Sequence, residues 1–375
     1  MDVEKSLSFV RIVNMEITYH QWKKQGPNKA EARKALEAED FSRTPISLYR
    51  YVRIGDVEAM RERLFQGWRD LGVLGRVYLA TEGINAQVSV PDHYVDNFRS
   101  FMDSFSEFKD VPFKIGIENG EAFTTLQIKI KKQIVADGLT QDDYNIENVG
   151  NHLTAREWNE AMANDETIVV DMRNHYESEI GHFDGAVCPE ADTFRDELPL
   201  IADSLKGSED KKVLLYCTGG IRCEKASAYL KHQGFSDVNQ LHGGIIDYKH
   251  QVEREGLSNQ FLGANYVFDG RGRERIGSEI ISTCHQCDNP CDRHVNCKNT
   301  VCNLLFLQCD NCEQKMNRTC SKACKRIANL PQEKQKVYYA KHGTTSQEVF
   351  SKSLRGRDRM KKRSPFQNLL NLFQK

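Results

Sequence analysis

No apolar run in the 375-residue sequence approaches the ~18 residues that a membrane-spanning helix needs. The opening stretch MDVEKSLSFVRIVNMEITYH scatters charges among its apolar residues, so it lacks the apolar core of a secretory signal, and a cytoplasmic protein is expected. Internal repeats and low-complexity tracts are missing as well, which argues against an array architecture. Cysteine is scarce in the first 283 residues, which hold only Cys188, Cys217 and Cys223. Nine more crowd between Cys284 and Cys324. In a reducing compartment that distribution points to catalysis and metal binding rather than disulfides. The net charge of −1 supplies no overall basic field. The charge is uneven, however: residues 331–375 carry 11 Lys/Arg against 3 Asp/Glu.

The length exceeds what one core usually holds, so two or three domains are expected, and 39% hydrophobic with 28% charged residues suits a globular chain. Residues 1–43 form a charged N-terminal extension with a helix at KAEARKALEAEDF. From 44 to 140 the pattern reads β-α-β-β-α-β. PISLYRYV (45–52) is rich in strand formers, and residues 56–72 have helical spacing between an Asp56 cap and a terminal Gly72. VLGRVYLA and INAQVSV flank a Glu82-Gly83 turn, DHYVDNFRSFMDSF is amphipathic, and FKIGIE and TLQIKIKKQIV read as β. This is the ferredoxin-like order.

From about residue 144 strands alternate with helices, which implies a parallel sheet covered on both faces. TAREWNEAM opens with Thr154 and Glu157 at capping-box spacing. TIVVDMR and KKVLLY are buried-type strands.

KKVLLY stops at Cys217, followed by Thr218, Gly219, Gly220, Ile221 and Arg222 and then a helical pattern. A loop this short turns peptide N–H groups inward at a helix N-terminus, forming an anion-binding nest. Arg222 adds a full positive charge. A thiol in that field ionises below its free value of about 8.5, and only the thiolate is a strong nucleophile. Cys223 falls in the first helical turn, as a packing residue or a resolving thiol.

VVDMRNHYESEIGHFDGA (169–186) with YCTGGIR (216–222) resembles a rhodanese domain spanning 144–256. Asp171, Arg173, Gly181 and His182 fall on that pattern; Asp171, Arg173 and His182 read as supporting residues that brace the loop. The resemblance associates a six-residue loop with sulfur transfer and a seven-residue loop with phosphatases. GRVYLATEGINAQVSVP, QIVADG, DMRNHYE and YCTGGIRCEKASAYLKHQGF, in this order, resemble the bacterial tRNA uridine-34 hydroxylases. That resemblance implies an α+β and α/β multidomain chain: a ferredoxin-like (acylphosphatase-like) domain, a rhodanese-like parallel-sheet domain and a small cysteine-rich module. It also implies dioxygen-dependent conversion of wobble uridine to 5-hydroxyuridine, tRNA as partner through its anticodon loop, and Cys217 as catalytic cysteine with Arg222 beside it. Glu82, Asn85, Lys129, Lys131 and Lys132 are candidate RNA contacts; the first two serve equally as hairpin residues. No flavin or nicotinamide site and no two-His-one-carboxylate iron set is recognised, and the reductant or protein donor is open.

Within 262–330, Cys284, Cys287, Cys291, Cys297, Cys302, Cys309, Cys312, Cys320 and Cys324 include two C-x2-C pairs, the spacing of structural zinc. Nine thiols allow two four-thiolate sites with one spare, and His285 and His294 are further candidates. An iron–sulfur cluster is the competing metal reading. The tail 331–375 is expected to be basic and flexible, with KSLRGRDRMKKRSP as a phosphate footprint. Two other functions compete with hydroxylation: a sulfurtransferase carrying a persulfide on Cys217, and a zinc-dependent RNA-binding scaffold.

Overall fold

The structure, a computed structural model, describes residues 17–140, 143–191 and 193–342. The basic stretch 352–365 lies outside them. The chain divides into two compact units. One runs up to Ala136 and includes Phe268–Arg271; the other takes Asp137–Val267 and everything from Gly272. No helix among the described residues is long and apolar enough to cross a membrane.

In the first unit, α1 (Tyr19–Gln25) and α2 (Lys29–Glu37) each begin with a capping box, from Thr18 and Asn28. Then follow β1 (Arg43–Tyr51), α3 (Val57–Asp70), β2 (Leu74–Ala80), β3 (Gly83–Pro91), α4 (Val95–Asp103), β4 (Lys114–Ile115) and β5 (Leu126–Ile130). The sheet order is β4-β1-β3-β2-β5, antiparallel except where β5 joins β2 in parallel. The first four strands reproduce the ferredoxin-like order, and β5 is an addition at the β2 edge. Asp56 caps α3 through Ala59 N, as its position predicts. Met60, Leu64, Phe65 and Trp68 form one stripe of α3, and Phe98 and Met102 one of α4. They enclose a core with Ile46, Leu48, Val77, Leu79, Ile84, Ala86 and Val88. Each such buried side chain contributes about 1.5–3 kcal/mol. Because inward residues alternate, a one-residue slip would turn this set to solvent.

The last expected strand, 125–135, ends early. Lys131 N still donates to Leu79 O, but the chain then departs, and Glu82 Oε1 accepts from Ile134 N at 2.6 Å. Asn85 Nδ2 donates to Ile134 O at 3.1 Å. Side chains from the hairpin thus satisfy the N–H and C=O of Ile134, which the strand ladder no longer reaches.

The second unit contains β6 (Asn151–Leu153), α5 (Ala155–Met162), β7 (Ile168–Asp171), α6 (His175–Ser178), β8 (Gly181–Phe183), α7 (Phe194–Ser204), β9 (Lys212–Tyr216), α8 (Ile221–His232), β10 (Asp237–Leu241) and α9 (Gly244–Glu255). It continues with β11 (Phe261–Tyr266), β12 (Arg273–Arg275), β13 (His294–Asn296), β14 (Leu305–Leu307), α10 (Asp310–Met316), α11 (Lys322–Ala328) and α12 (Gln332–His342). The order β6-β10-β9-β7 is wholly parallel. The Thr154–Glu157 capping box starts α5. An antiparallel sheet, β12-β11-β8, ties the rhodanese segment to the chain that leads into the cysteine-rich module. Of the tail, the part up to residue 342 is helical in α12.

Candidate active site

Strand β9 runs Val213–Tyr216 fully buried and delivers Cys217 to the carboxyl end of the parallel sheet, where open α/β sheets bind ligands. Gly220 adopts φ +96 as the cap of α8, a conformation that costs a side-chain-bearing residue energy. Its N–H donates to Cys217 Sγ at 3.1 Å. The outward side of the loop is clamped by the start of α9: Ile245 N donates to Cys217 O at 3.0 Å and Ile246 N to Thr218 O at 3.2 Å. Gly244, at φ +68, makes room for this clamp, since a Cβ there would lie 2.7 Å from Gly219 N and 2.6 Å from Cys217 O. With its carbonyls held outward, the loop turns its N–H groups toward the sulfur.

Cys217 is fully buried, which by itself opposes ionisation. The hydrogen bond from Cys223, the Arg222 guanidinium, and the N–H groups of Arg222 and Gly220 outweigh burial and bring the thiol down to about 5. Burial and the neighbouring thiolate push Cys223 well above its ordinary value. Cys223 therefore stays protonated and donates to Cys217.

Arg222 is held by a fork: Nη1 donates to Glu177 Oε1 at 2.7 Å and Nη2 to Glu177 Oε2 at 3.0 Å. Glu177, 0% exposed, sits on α6, and Asn174 N donates to its Oε1 at 3.1 Å. Asp171 and Arg173 form a second buried pair, at 2.6 Å. Tyr216 OH donates to Asp171 Oδ2 at 2.8 Å, and Arg173 Nη2 donates to Gly181 O at 2.6 Å. Asp171 and Arg173 thus brace the end of β9. His182 Nδ1 lies 2.9 Å from Ser178 O, in hydrogen-bond contact with the backbone.

Sequence reasoning missed Glu177, Gly244 and Glu197. Glu197, on α7, is fully buried, and among the described residues neither of its carboxyl oxygens has a hydrogen-bond partner. Burial pushes this carboxyl well above the ordinary range; Arg222 opposes that, while Asp171, Glu177 and Cys217 reinforce it. The available signals were the Asn174-x-x-Glu177 capping spacing and the paired Gly243-Gly244 before an apolar helix.

In the first unit, Glu82 and Asn85 hold the Ile134 peptide, so both have a hairpin role. Lys129, Lys131 and Lys132 are exposed. Lys129 is shifted below the usual lysine value by partial burial and by Arg76, Lys131 and Lys23, a gathering of like charges. Lys131 Nζ lies 5.6 Å over the Tyr78 ring.

The cysteine-rich module sorts its thiols into two sets: Cys284, Cys287, Cys309 and Cys312; and Cys297, Cys302, Cys320 and Cys324. Within each set all sulfurs lie within 4.8 Å of one another. A tetrahedral thiolate site with metal–sulfur bonds of about 2.3 Å sets sulfurs about 3.8 Å apart. The Cys287–Cys309 and Cys302–Cys320 separations are 3.6 Å and Cys320–Cys324 is 3.8 Å, which fits a metal ion and is far too long for a disulfide. Cys291 belongs to neither set and is the one thiol left over beside two groups of four. His285 and His294 are also outside both sets.

Residues 43–134 match the UPF0176 acylphosphatase-like domain, 154–251 the rhodanese-like domain and 262–325 the rhodanese C-terminal domain. A tRNA uridine(34) hydroxylase of Leptospira interrogans is 56% identical over 81% of this chain and 83% of its own. One of Escherichia fergusonii is 46% identical over 85% of this chain and 91% of its own. A solved rhodanese-like domain from Anabaena sp. aligns at 19% identity over 30% of this chain and 78% of its own, with a TM-score of 0.25.

Proposed function

The chain belongs to the tRNA uridine(34) hydroxylase family, and we propose that it converts the wobble uridine of tRNA to 5-hydroxyuridine with Cys217 as nucleophile. The observation that supports the assignment of Cys217 is its sulfur at the end of β9, accepting from Gly220 N–H at 3.1 Å beside the Arg222 charge, surroundings that lower the thiol to about 5.

Uridine C5 is too unreactive to meet dioxygen unaided. The Cys217 thiolate adds to C6, forming an S–C6 bond and moving the C5=C6 electron pair into an enolate at C4–O. C5 then bonds to dioxygen. A two-electron donor of the thiol class and three protons, one of which is returned when C5 later loses its own, cleave the O–O bond of the C5 peroxide anion, one oxygen leaving as water and the other staying as the C5 hydroxyl. Loss of the C5 proton expels the thiolate and restores C5=C6. In sum, uridine, dioxygen, two electrons and two protons give 5-hydroxyuridine and water. Covalent catalysis thus divides one difficult oxidation into easier steps. The loop amides and Arg222 stabilise the departing thiolate.

The base must leave its stack to meet a buried sulfur, and an anticodon loop presents unpaired bases for which that costs least. Lys129, Lys131 and Lys132, clustered with Arg76, supply phosphate contacts. Zinc is the metal of the two thiolate sets; it holds a module with little core of its own and takes no part in the oxidation.

The test uses tRNA containing 5-fluorouridine at position 34, from which elimination is blocked. A covalent RNA adduct on the Cys217 peptide is expected. In parallel, a deletion strain complemented with Cys217→Ala should lack 5-hydroxyuridine derivatives. Loss of thiolated nucleosides instead would identify a persulfide carrier and overturn the reading.

A further inference from the structure

Helix α6 and the two residues after it stand between the cysteine loop and the cysteine-rich module. From one side Glu177 holds Arg222. From the other, Glu179 Oε1 accepts from His285 Nε2 at 2.6 Å, and His294 Nε2 lies 4.0 Å from Glu179 Oε2. His285 stands inside the first C-x2-C pair, between Cys284 and Cys287. Its side chain is 3% exposed. Leu307 N donates to His285 Nδ1 at 3.3 Å, which leaves Nε2 as the ring nitrogen that donates to Glu179. Tyr176 meets Tyr266 at 5.2 Å between ring centroids and His294 at 6.2 Å. Ile180 is fully buried in one cluster with Cys284, Cys312 and Leu307.

Module contacts at Tyr176, Glu179 and Ile180 therefore bracket Glu177, the carboxylate that grips Arg222 among the described residues. A short helix has little rigidity of its own, and its fork geometry tolerates displacements of only a few tenths of an ångström before hydrogen bonds weaken. We propose that the Cys284–Cys287–Cys309–Cys312 knuckle positions Arg222 against Cys217, acting through His285, Glu179 and Glu177. His285 and Glu179 are positioning residues, and the module is part of the catalytic apparatus rather than an independent appendage.

This rests on Cys217 being the nucleophile, but its readout does not need turnover. In the full-length, metal-loaded chain, the pH midpoint of Cys217 alkylation is followed by peptide mass spectrometry, together with kcat and KM on tRNA. His285→Phe and Glu179→Leu are expected to raise the midpoint by about one pH unit. At pH 6 the smaller thiolate fraction should lower kcat about two-fold, rising toward ten-fold below pH 5, while KM changes little. His285→Gln keeps a donor and is expected to restore much of the wild-type midpoint. A midpoint unmoved in both breaking variants, with metal content and melting temperature retained, overturns the proposal. If those variants do not fold, metal is stripped from the wild-type chain with a chelator. A rise in the Cys217 midpoint then supports the coupling, and an unchanged one overturns it. Hydroxylation by a Cys217→Ser variant would instead defeat the functional reading, independently of where the midpoints fall.

Discussion

Arg222 and Glu177 form a two-bond fork, 2.7 and 3.0 Å, between residues 45 positions apart, one of them fully buried. The pair fixes a guanidinium whose charge reaches the Cys217 sulfur without bonding to it. Replacing Arg222 with Met keeps the bulk, removes the charge and strands Glu177. We expect kcat to fall by about 10²–10³, the usual cost of losing one preorganised electrostatic group, with tRNA affinity nearly unchanged. Single-turnover assays at saturating tRNA check this.

Gly244 decides whether the loop can close. An added Cβ would fall 2.6–2.7 Å from three backbone atoms of residues 217–219, none of which is a flexible side-chain end. Gly244→Ala, at φ +68, is expected to push the loop off α9, reduce activity by at least the Arg222→Met factor, and lower the melting temperature. By contrast, Gly256→Ala, with nothing within 4 Å of its Cβ, should cost only the strain of its φ of +61.

Glu197 should make stability pH-dependent in a defined sense. Its folded-state pKa lies well above the unfolded value of about 4.3. Stability from this group is full below the unfolded value and is lost as pH rises toward the folded one. Cys217 works in the opposite direction: folded near 5 and unfolded near about 8.5, it adds stability as pH rises between those values. Glu197→Gln, a neutral stand-in, is expected to raise the melting temperature more at pH 8 than at pH 4. Thermal scans across that range test it, and equal shifts at both ends would count against a protonated Glu197.

The two thiolate sets should lose metal separately. Cys287→Ser is expected to cost one metal per chain and Cys302→Ser the other, whereas Cys291→Ser should cost none, because only the first two belong to four-sulfur groups. Elemental analysis of purified variants reads this directly. Chelation of the wild type should also lower its melting temperature, since metal binding is folding energy in a module this small.

Much of this was legible in sequence wherever the signal is local. The capping boxes, the strand running into Cys217, and the glycines behind it are each encoded within a few residues. The βαββαβ rhythm likewise predicts the β4-β1-β3-β2 order. What stayed hidden depends on residues brought together from afar. Glu177 carries no mark of its partner 45 residues on. Cys287 and Cys309, 22 positions apart, could not be grouped from spacing alone. The early end of β5 was invisible because Glu82 and Asn85, not composition, capture Ile134. Loop length favours sulfur transfer, and only the whole-chain pattern favours hydroxylation.

The sulfur of Cys217 is the point on which the account turns. The most direct measurement is the pH dependence of its alkylation in the intact chain, resolved from Cys223 by peptide mass spectrometry. Half-maximal reactivity near pH 5 is predicted. A midpoint near about 8.5, that of a free thiol, would contradict it.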